Sequence, residues 1–179
     1  MLISHKINNS ILELKTGDIT LEETESIVNA ANTALSPGGG VSGAIHRAAG
    51  PELWQECKTL GGCDTGEAKL TRGYDLKAKY VIHTVGPVYS NSNSDPINLK
   101  NSYNNCLLAA SRNKIKSISF PSISTGVFGY PVREASIIAL RTIALFLKEH
   151  QEIEVVKIVL FSERDYNIYV ESLEKILKD

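Results

Sequence analysis

Two loops hold the residue types from which this 179-residue chain could build a reactive site. The first lies in residues 29–50, NAANTALSPGGGVSGAIHRAAG, where an asparagine-rich turn runs into three consecutive glycines and then a small-residue helix. The second is SISTGVFGYP, residues 122–131. Each follows a short β-branched run, SIVN at 26–29 and SISF at 117–120, and each precedes a helical pattern. Glycine lets a backbone approach a ligand closely, and free N–H groups at a helix N-terminus present partial positive charge. A phosphate is the natural guest, and two such loops on one sheet edge could close on a diphosphate from both sides. Neither loop contains Lys or Arg, since Arg47 and Arg133 lie beyond them inside the helices. Recognition would then rest on backbone amides and the Ser124 and Thr125 hydroxyls, with Phe128 and Tyr130 placed to cover the ligand. The alternative is that Gly38, Gly39, Gly40, Gly126 and Gly129 simply make tight turns.

Other chemistries fit less well. Gly38, Gly40 and Gly43 spell the dinucleotide fingerprint G-x-G-x-x-G, but the run does not follow its strand directly. The acidic partner that fingerprint needs has only Asp64 at the right distance, in the loop GGCDTGEA, so a nicotinamide oxidoreductase is the weaker reading. No Gly-Lys-Ser/Thr occurs, which removes a Walker-type ATPase. Cys57, Cys63 and Cys106 form no C-x-x-C pair, and His5, His46, His83 and His150 are scattered singly, so no metal site is expected.

The elements that must position the loops are legible as alternation. Apolar runs at 11–14, 26–29, 80–85, 117–120 and 155–161 read as buried strands. Helical patterns fall at 42–49, 51–59, about 97–112, about 132–149 and about 164–178, the last with Ile168, Leu173, Ile176 and Leu177 as its core face. Residues 90–98, SNSNSDPIN, read as a flexible surface loop. Strands alternating with helices imply a three-layer α/β/α sandwich around a mixed, largely parallel sheet. With 42% hydrophobic residues the chain can bury one sizeable core, so residues 1–179 are expected to form one domain. Nineteen basic against twenty acidic residues leave a net charge of -1, so no strong nucleic-acid or membrane partner is expected. The start MLISHKINNS shows no export signal, and an odd number of unpaired cysteines suits a cytoplasmic protein.

Six stretches together resemble a macrodomain of the MacroD type: TGDIT (16–20), IVNAAN (27–32), GGGV with GAIHRAAG (38–50), TGEAKLT (65–71), YVIHTVGP (80–87) and FPSISTGVFGYP (120–131). The resemblance covers essentially the whole chain. It implies an α/β/α fold holding ADP-ribose across the carboxyl edge of the sheet, in a monomer without a cofactor. It also implies hydrolysis of mono-ADP-ribosyl esters, on protein glutamate or aspartate or in O-acetyl-ADP-ribose. Carried over by position, Asp18 would accept from the adenine amino group with Ile19 beside it, and Phe161 would lie near the adenine. Gly39, Gly40, Val41, Ser42, Gly43 and Ala44, with Ser124, Thr125, Gly126, Val127, Phe128, Gly129 and Tyr130, would hold the diphosphate, and Phe128 would pack on the distal ribose. Asn32 would bond the distal ribose hydroxyls, while Asn29 braces the turn. Asn32, Ser42 and Gly126 are the candidate catalytic positions. Competing roles stand beside these: helix N-caps for Asp18 and Ser42, core packing for Phe161, and satisfied structural residues for His46 and His83.

One departure matters. The resemblance calls for Asp after G-G-G-V, and this chain has Ser42. A serine hydroxyl can hold a water or a ribose hydroxyl, but its pKa is far too high for a general base. Two functions follow: an ester hydrolase working by positioned water, and a reader that binds ADP-ribose without turnover.

Overall fold

The computed structural model describes residues 1–179. Seven strands form one sheet: β1 (Leu2–Ile7), β2 (Ser10–Thr16), β3 (Ser26–Ala30), β4 (Ala68–Arg72), β5 (Tyr80–Thr84), β6 (Ser117–Phe120) and β7 (Val155–Leu160). Their spatial order is β1-β2-β7-β6-β3-β5-β4. The five central strands run parallel, and only the edges β1 and β4 pair antiparallel. Helices α1 (Gly40–Ala49) and α2 (Pro51–Lys58) cover one face over a 14-residue apolar cluster. Helices α3 (Ser94–Arg112), α4 (Val132–Glu149) and α5 (Glu163–Lys178) cover the other over 28 residues. This is the expected three-layer sandwich. The nearly continuous apolar character of β3 and β7 has its reason here, since both faces of those strands meet helices.

The differences from expectation lie where local pattern is weak. β1 and β4 had no counterpart in the sequence reading: they are edge strands, and their side chains are mostly exposed or half-buried. β1 joins β2 through Asn8 and Asn9, with Asn8 at φ 51, a hairpin signature present in the sequence as Asn-Asn between two apolar runs. Residues 90–98 are not a free loop. α3 begins at Ser94, and the buried Asp95 carboxylate accepts from the N–H groups of Ser90 (2.8 Å) and Ser92 (3.2 Å). Those bonds, Ser90 first, hold the Asp95 carboxyl below its ordinary range. On α5 the core face is Tyr166, Tyr169, Ser172 and Leu173; Ile168 and Ile176 are half-buried, and Leu177 is 50% exposed. The helix is rotated so that its two tyrosines face inward, because Tyr169 has a polar partner at the site.

Candidate functional site: a cleft between two amide-rich loops

The first loop leaves β3 and enters α1. The helix starts at Gly40 with Gly39 as its cap residue and no side-chain cap bond, so Ser42 is the third helical residue and not the cap. The Gly38 carbonyl lies where a Cβ on Gly43 would be, so only glycine lets the loop fold onto the helix start. Asn32 fixes the approach: its Oδ1 accepts from Ser36 N at 3.0 Å, and its Nδ2 donates to Ser36 O at 3.1 Å. A Cβ on Gly38 would be 3.7 Å from Asn32 Nδ2 and 3.8 Å from Ser42 Oγ, so Asn32 and Ser42 flank Gly38. The backbone N–H groups of residues 38–42 donate to no protein acceptor.

The second loop leaves β6 and enters α4, and buried tyrosines hold it from below. Tyr103 Oη accepts from Ile123 N at 3.1 Å and donates to Pro121 O at 3.3 Å, and Tyr169 Oη meets Ser122 Oγ at 2.8 Å. Burial raises the pKa of both phenols, that of Tyr169 to about 12, so they remain hydrogen-bond donors at neutral pH. Within the loop, Gly129 N donates to Gly126 O (3.0 Å) and Tyr130 N to Ser124 O (2.8 Å). Ser124 is buried at φ 67, a strained conformation for serine of the kind that collects at functional sites. The N–H groups of residues 124–128 likewise find no protein acceptor.

Between the loops lies a cleft of about 600 Å³. Of the residues singled out in the sequence, Asp18, Ile19, Gly40, Val41, Ala44, Thr125, Gly126 and Phe161 line it. At Gly39 and Gly126 no protein atom lies within 4 Å of where a Cβ would stand, and both have ordinary backbone angles, so nothing in the protein requires glycine there. Asp18 Oδ1 caps the short 3-10 turn 19–21, accepting from Thr20 N (2.9 Å) and Thr20 Oγ1 (2.7 Å), which leaves Oδ2 open; capping and ligand reading are compatible. Phe161 is 91% exposed, which rules out core packing. Val127 is 97% exposed at the loop tip, and Phe128 is half-buried, its carbonyl accepting from Tyr89 N. Tyr130 is buried, its ring centroid 4.9 Å from that of Tyr89 with the planes tilted by 52°. It does not cover the cleft, because the reverse bond to Ser124 turns its side chain into the core.

Behind the first loop is a polar cluster that spans three strands. Asn29, a buried residue of β3 and not a turn brace, pairs its Nδ2 with His83 Nδ1 at 3.0 Å; His83 Nε2 meets Thr71 Oγ1 at 2.9 Å. Desolvation lowers the His83 pKa to about 3, so the imidazole is neutral and structural. His46, on α1 one turn after Ser42, is different: it is buried, its pKa is lowered by desolvation, and neither ring nitrogen has a partner. Ser42 Oγ is also buried without a partner, and no bond links it to His46, so Ser42 is not an activated nucleophile. The three cysteines are free and buried, and burial raises each thiol pKa, that of Cys57 to about 11. They are not thiolates at neutral pH.

Two charged lining residues were not singled out in the sequence: Arg47 and Asp165. Arg47 is brought back to the cleft by helical return, its Nη1 only 3.0 Å from where a Gly43 Cβ would lie. The signal was its i+4 spacing from Gly43 and i+7 spacing from Gly40. Asp165 sits in the first turn of α5, after the loop that carries Phe161. Only the strand order brings it to the cleft that Asp18 also lines.

Fold and cleft together define an α/β/α sandwich whose carboxyl edge presents two runs of free amide donors, a nest-type anion site. The chain belongs to the macro domain family, whose profile matches residues 28–139. It is 50% identical over 167 residues to human ADP-ribose glycohydrolase MACROD2, covering 92% of this chain and 39% of that protein. It is 49% identical to the macro domain-containing protein CT2219 of Chlorobaculum tepidum, covering 93% of this chain and 97% of the relative. Among solved structures, the Oceanobacillus iheyensis macrodomain with ADP superposes with a TM-score of 0.97 at 48% identity, over 99% of this chain and 97% of that one. The Trypanosoma brucei macrodomain in complex with ADP-ribose gives 0.87 at 45% identity, over 90% of this chain and 68% of that one. Membership of this family removes the nicotinamide oxidoreductase reading; Gly43 serves packing on Gly38, and Asp64 lies outside the cleft.

Proposed function

We propose that this protein binds ADP-ribose and hydrolyses mono-ADP-ribosyl esters, releasing ADP-ribose and a carboxylic acid. The observation that carries the binding is the pair of facing amide runs, 38–42 and 124–128, together with two glycines that only a ligand would require. These unpaired N–H groups on either side of one cleft can hold a diphosphate without a cation, and the Arg47 guanidinium adds one positive charge. The open Asp18 Oδ2 accepts from the adenine amine, and Phe161 covers the ring. Asn32 and Ser42, on either side of Gly38, face the distal ribose. Relatives named as ADP-ribose glycohydrolases and related structures holding ADP-ribose support the same reading.

For the reaction, a water held between a ligand phosphate oxygen and the first loop attacks the activated ester at the distal ribose. The water oxygen bonds to the acyl carbon, the acyl carbon–ribose oxygen bond breaks, the water's proton passes to the departing ribose oxygen to make its hydroxyl, and the carboxylic acid departs. Positioning and amide donors lower the barrier, since no base is hydrogen-bonded to Ser42. Ser42 Oγ, with no protein partner, orients the water or the ribose hydroxyl. Substrates are ADP-ribosylated glutamate or aspartate side chains and O-acetyl-ADP-ribose.

The same lack of a base at Ser42 favours the second reading, a module that binds ADP-ribose without turnover. The test compares wild type, Asn32→Ala and Ser42→Asp on a glutamate-linked mono-ADP-ribosylated protein and on O-acetyl-ADP-ribose. The hydrolase reading expects turnover by wild type and its loss in Asn32→Ala. Tight ADP-ribose binding with no turnover in wild type, and activity only in Ser42→Asp, would establish the reader instead.

A further inference from the structure

We infer that Asp165 is a specificity residue that reads the ribose diol next to adenine and rejects a ligand phosphorylated at that 2′-oxygen. The inference rests on the ADP-ribose reading above and deepens it. The strand order at the carboxyl edge runs β2, β7, β6. The turn after β2 carries Asp18, the loop after β7 leads to Phe161 and Asp165, and the loop after β6 carries the amide run 124–128. A ligand laid from Asp18 to the second loop therefore passes α5 midway, where the purine-bearing ribose joins adenine to the diphosphate. Asp165 lines the same cleft.

The chemistry narrows what it can bind. The Asp165 carboxylate has no hydrogen-bond or ion-pair partner in the protein; only its backbone N–H is used, donating to Ser162 Oγ at 3.1 Å. It stands in the first turn of α5, and a carboxylate only accepts hydrogen bonds. A diphosphate offers it no donor and repels it, and the adenine amine lies with Asp18. The remaining donors at this point are the 2′- and 3′-hydroxyls. A carboxylate on a ribose diol accepts from the free hydroxyls and repels a 2′-phosphate, the logic by which dinucleotide sites separate phosphorylated from unphosphorylated cofactors. As a bland alternative, Asp165 serves only the helix terminus, and then ligand selectivity does not depend on it.

The experiment is calorimetric titration of the full chain, wild type, Asp165→Asn and Asp165→Ala, with ADP-ribose, its 2′-phosphorylated form and its 2′-deoxy form, each modified on the adenine-side ribose. Wild type should favour ADP-ribose at least about tenfold over both analogues, the size expected for one hydrogen bond to a charged group. In Asp165→Asn the 2′-phosphate penalty should shrink to within about threefold, and in Asp165→Ala both penalties should collapse, with thermal midpoints unchanged. Equal binding of the three ligands by wild type, or ratios that persist in Asp165→Ala, would overturn the inference while leaving ADP-ribose binding intact. Failure of wild type to bind any of the three overturns the functional reading itself.

Discussion

Gly86, two residues past β5, lies so close to Ser124 that a Cβ on it would overlap the Ser124 hydroxyl, and Ile123 Cγ2 would be only 2.6 Å away. The second amide loop therefore rests directly on backbone at the end of β5. Gly86→Ala is expected to cost about 2–3 kcal/mol, because both neighbours are buried and Ser124 already holds a strained φ. Urea denaturation measures the loss; an unchanged midpoint would show that the loop can shift without cost.

Gly39 and Gly126 predict the opposite pattern. With no protein atom near where a Cβ would stand, Gly39→Val and Gly126→Val should change stability by less than about 1 kcal/mol. Each should weaken ADP-ribose binding at least about a hundredfold, because the side chain would occupy the space between the amide runs. Destabilisation with retained affinity would mean that these glycines serve the fold.

Phe161, 91% exposed, contributes little to the core. Phe161→Ala should leave the thermal midpoint within about 2 °C and reduce ADP-ribose affinity about three- to tenfold, the worth of one aromatic contact. Loss of stability without loss of affinity would contradict a ligand role.

His83 makes stability depend on pH. Its folded pKa lies near 3 and its ordinary value is 6.5, so between these limits the unfolded chain holds a proton that the folded chain refuses. The contribution is complete above about pH 6.5 and falls as the medium is acidified, with a slope approaching ~1.4 kcal/mol per pH unit. His46, lowered by desolvation, acts in the same direction. Denaturation at pH 7, 6, 5 and 4 should show a shallower acid loss in His83→Gln than in wild type, although the variant is weaker at pH 7.

Ser42 has a buried hydroxyl without a partner, so removing it relieves a desolvated polar group. Ser42→Ala should be neutral or stabilising by up to about 1 kcal/mol. On the hydrolase reading kcat falls about tenfold with KM nearly constant, because the hydroxyl acts on the attacking water or the ribose and not on ligand capture. Unaltered kcat would remove Ser42 from the reaction.

The two glycine loops, the five central strands and all five helices were legible from local pattern. Apolar runs bounded by turns mark strands covered on both faces, and the glycine stretches announce where backbone must approach a ligand. Helix starts were less certain: α1 begins two residues earlier than expected, because the Gly38 carbonyl, and not the Ser42 hydroxyl, meets the first turn.

What the sequence determined by itself is set by neighbours in the chain: the alternation of strand and helix, the two loops, and the motifs from Asp18 to Phe161 that mark the family. What only the tertiary structure decided is set by neighbours across the sheet. Pairing with β2 made a strand of residues 2–7, and Tyr130 is buried against Tyr89 and does not line the cleft. The order β2-β7-β6 carried Asp165 into the cleft that Asp18 lines. Periodicity records which face of an element is apolar, but not which other element that face will meet. A site assembled from four separate loops is therefore complete only after the sheet has closed its order.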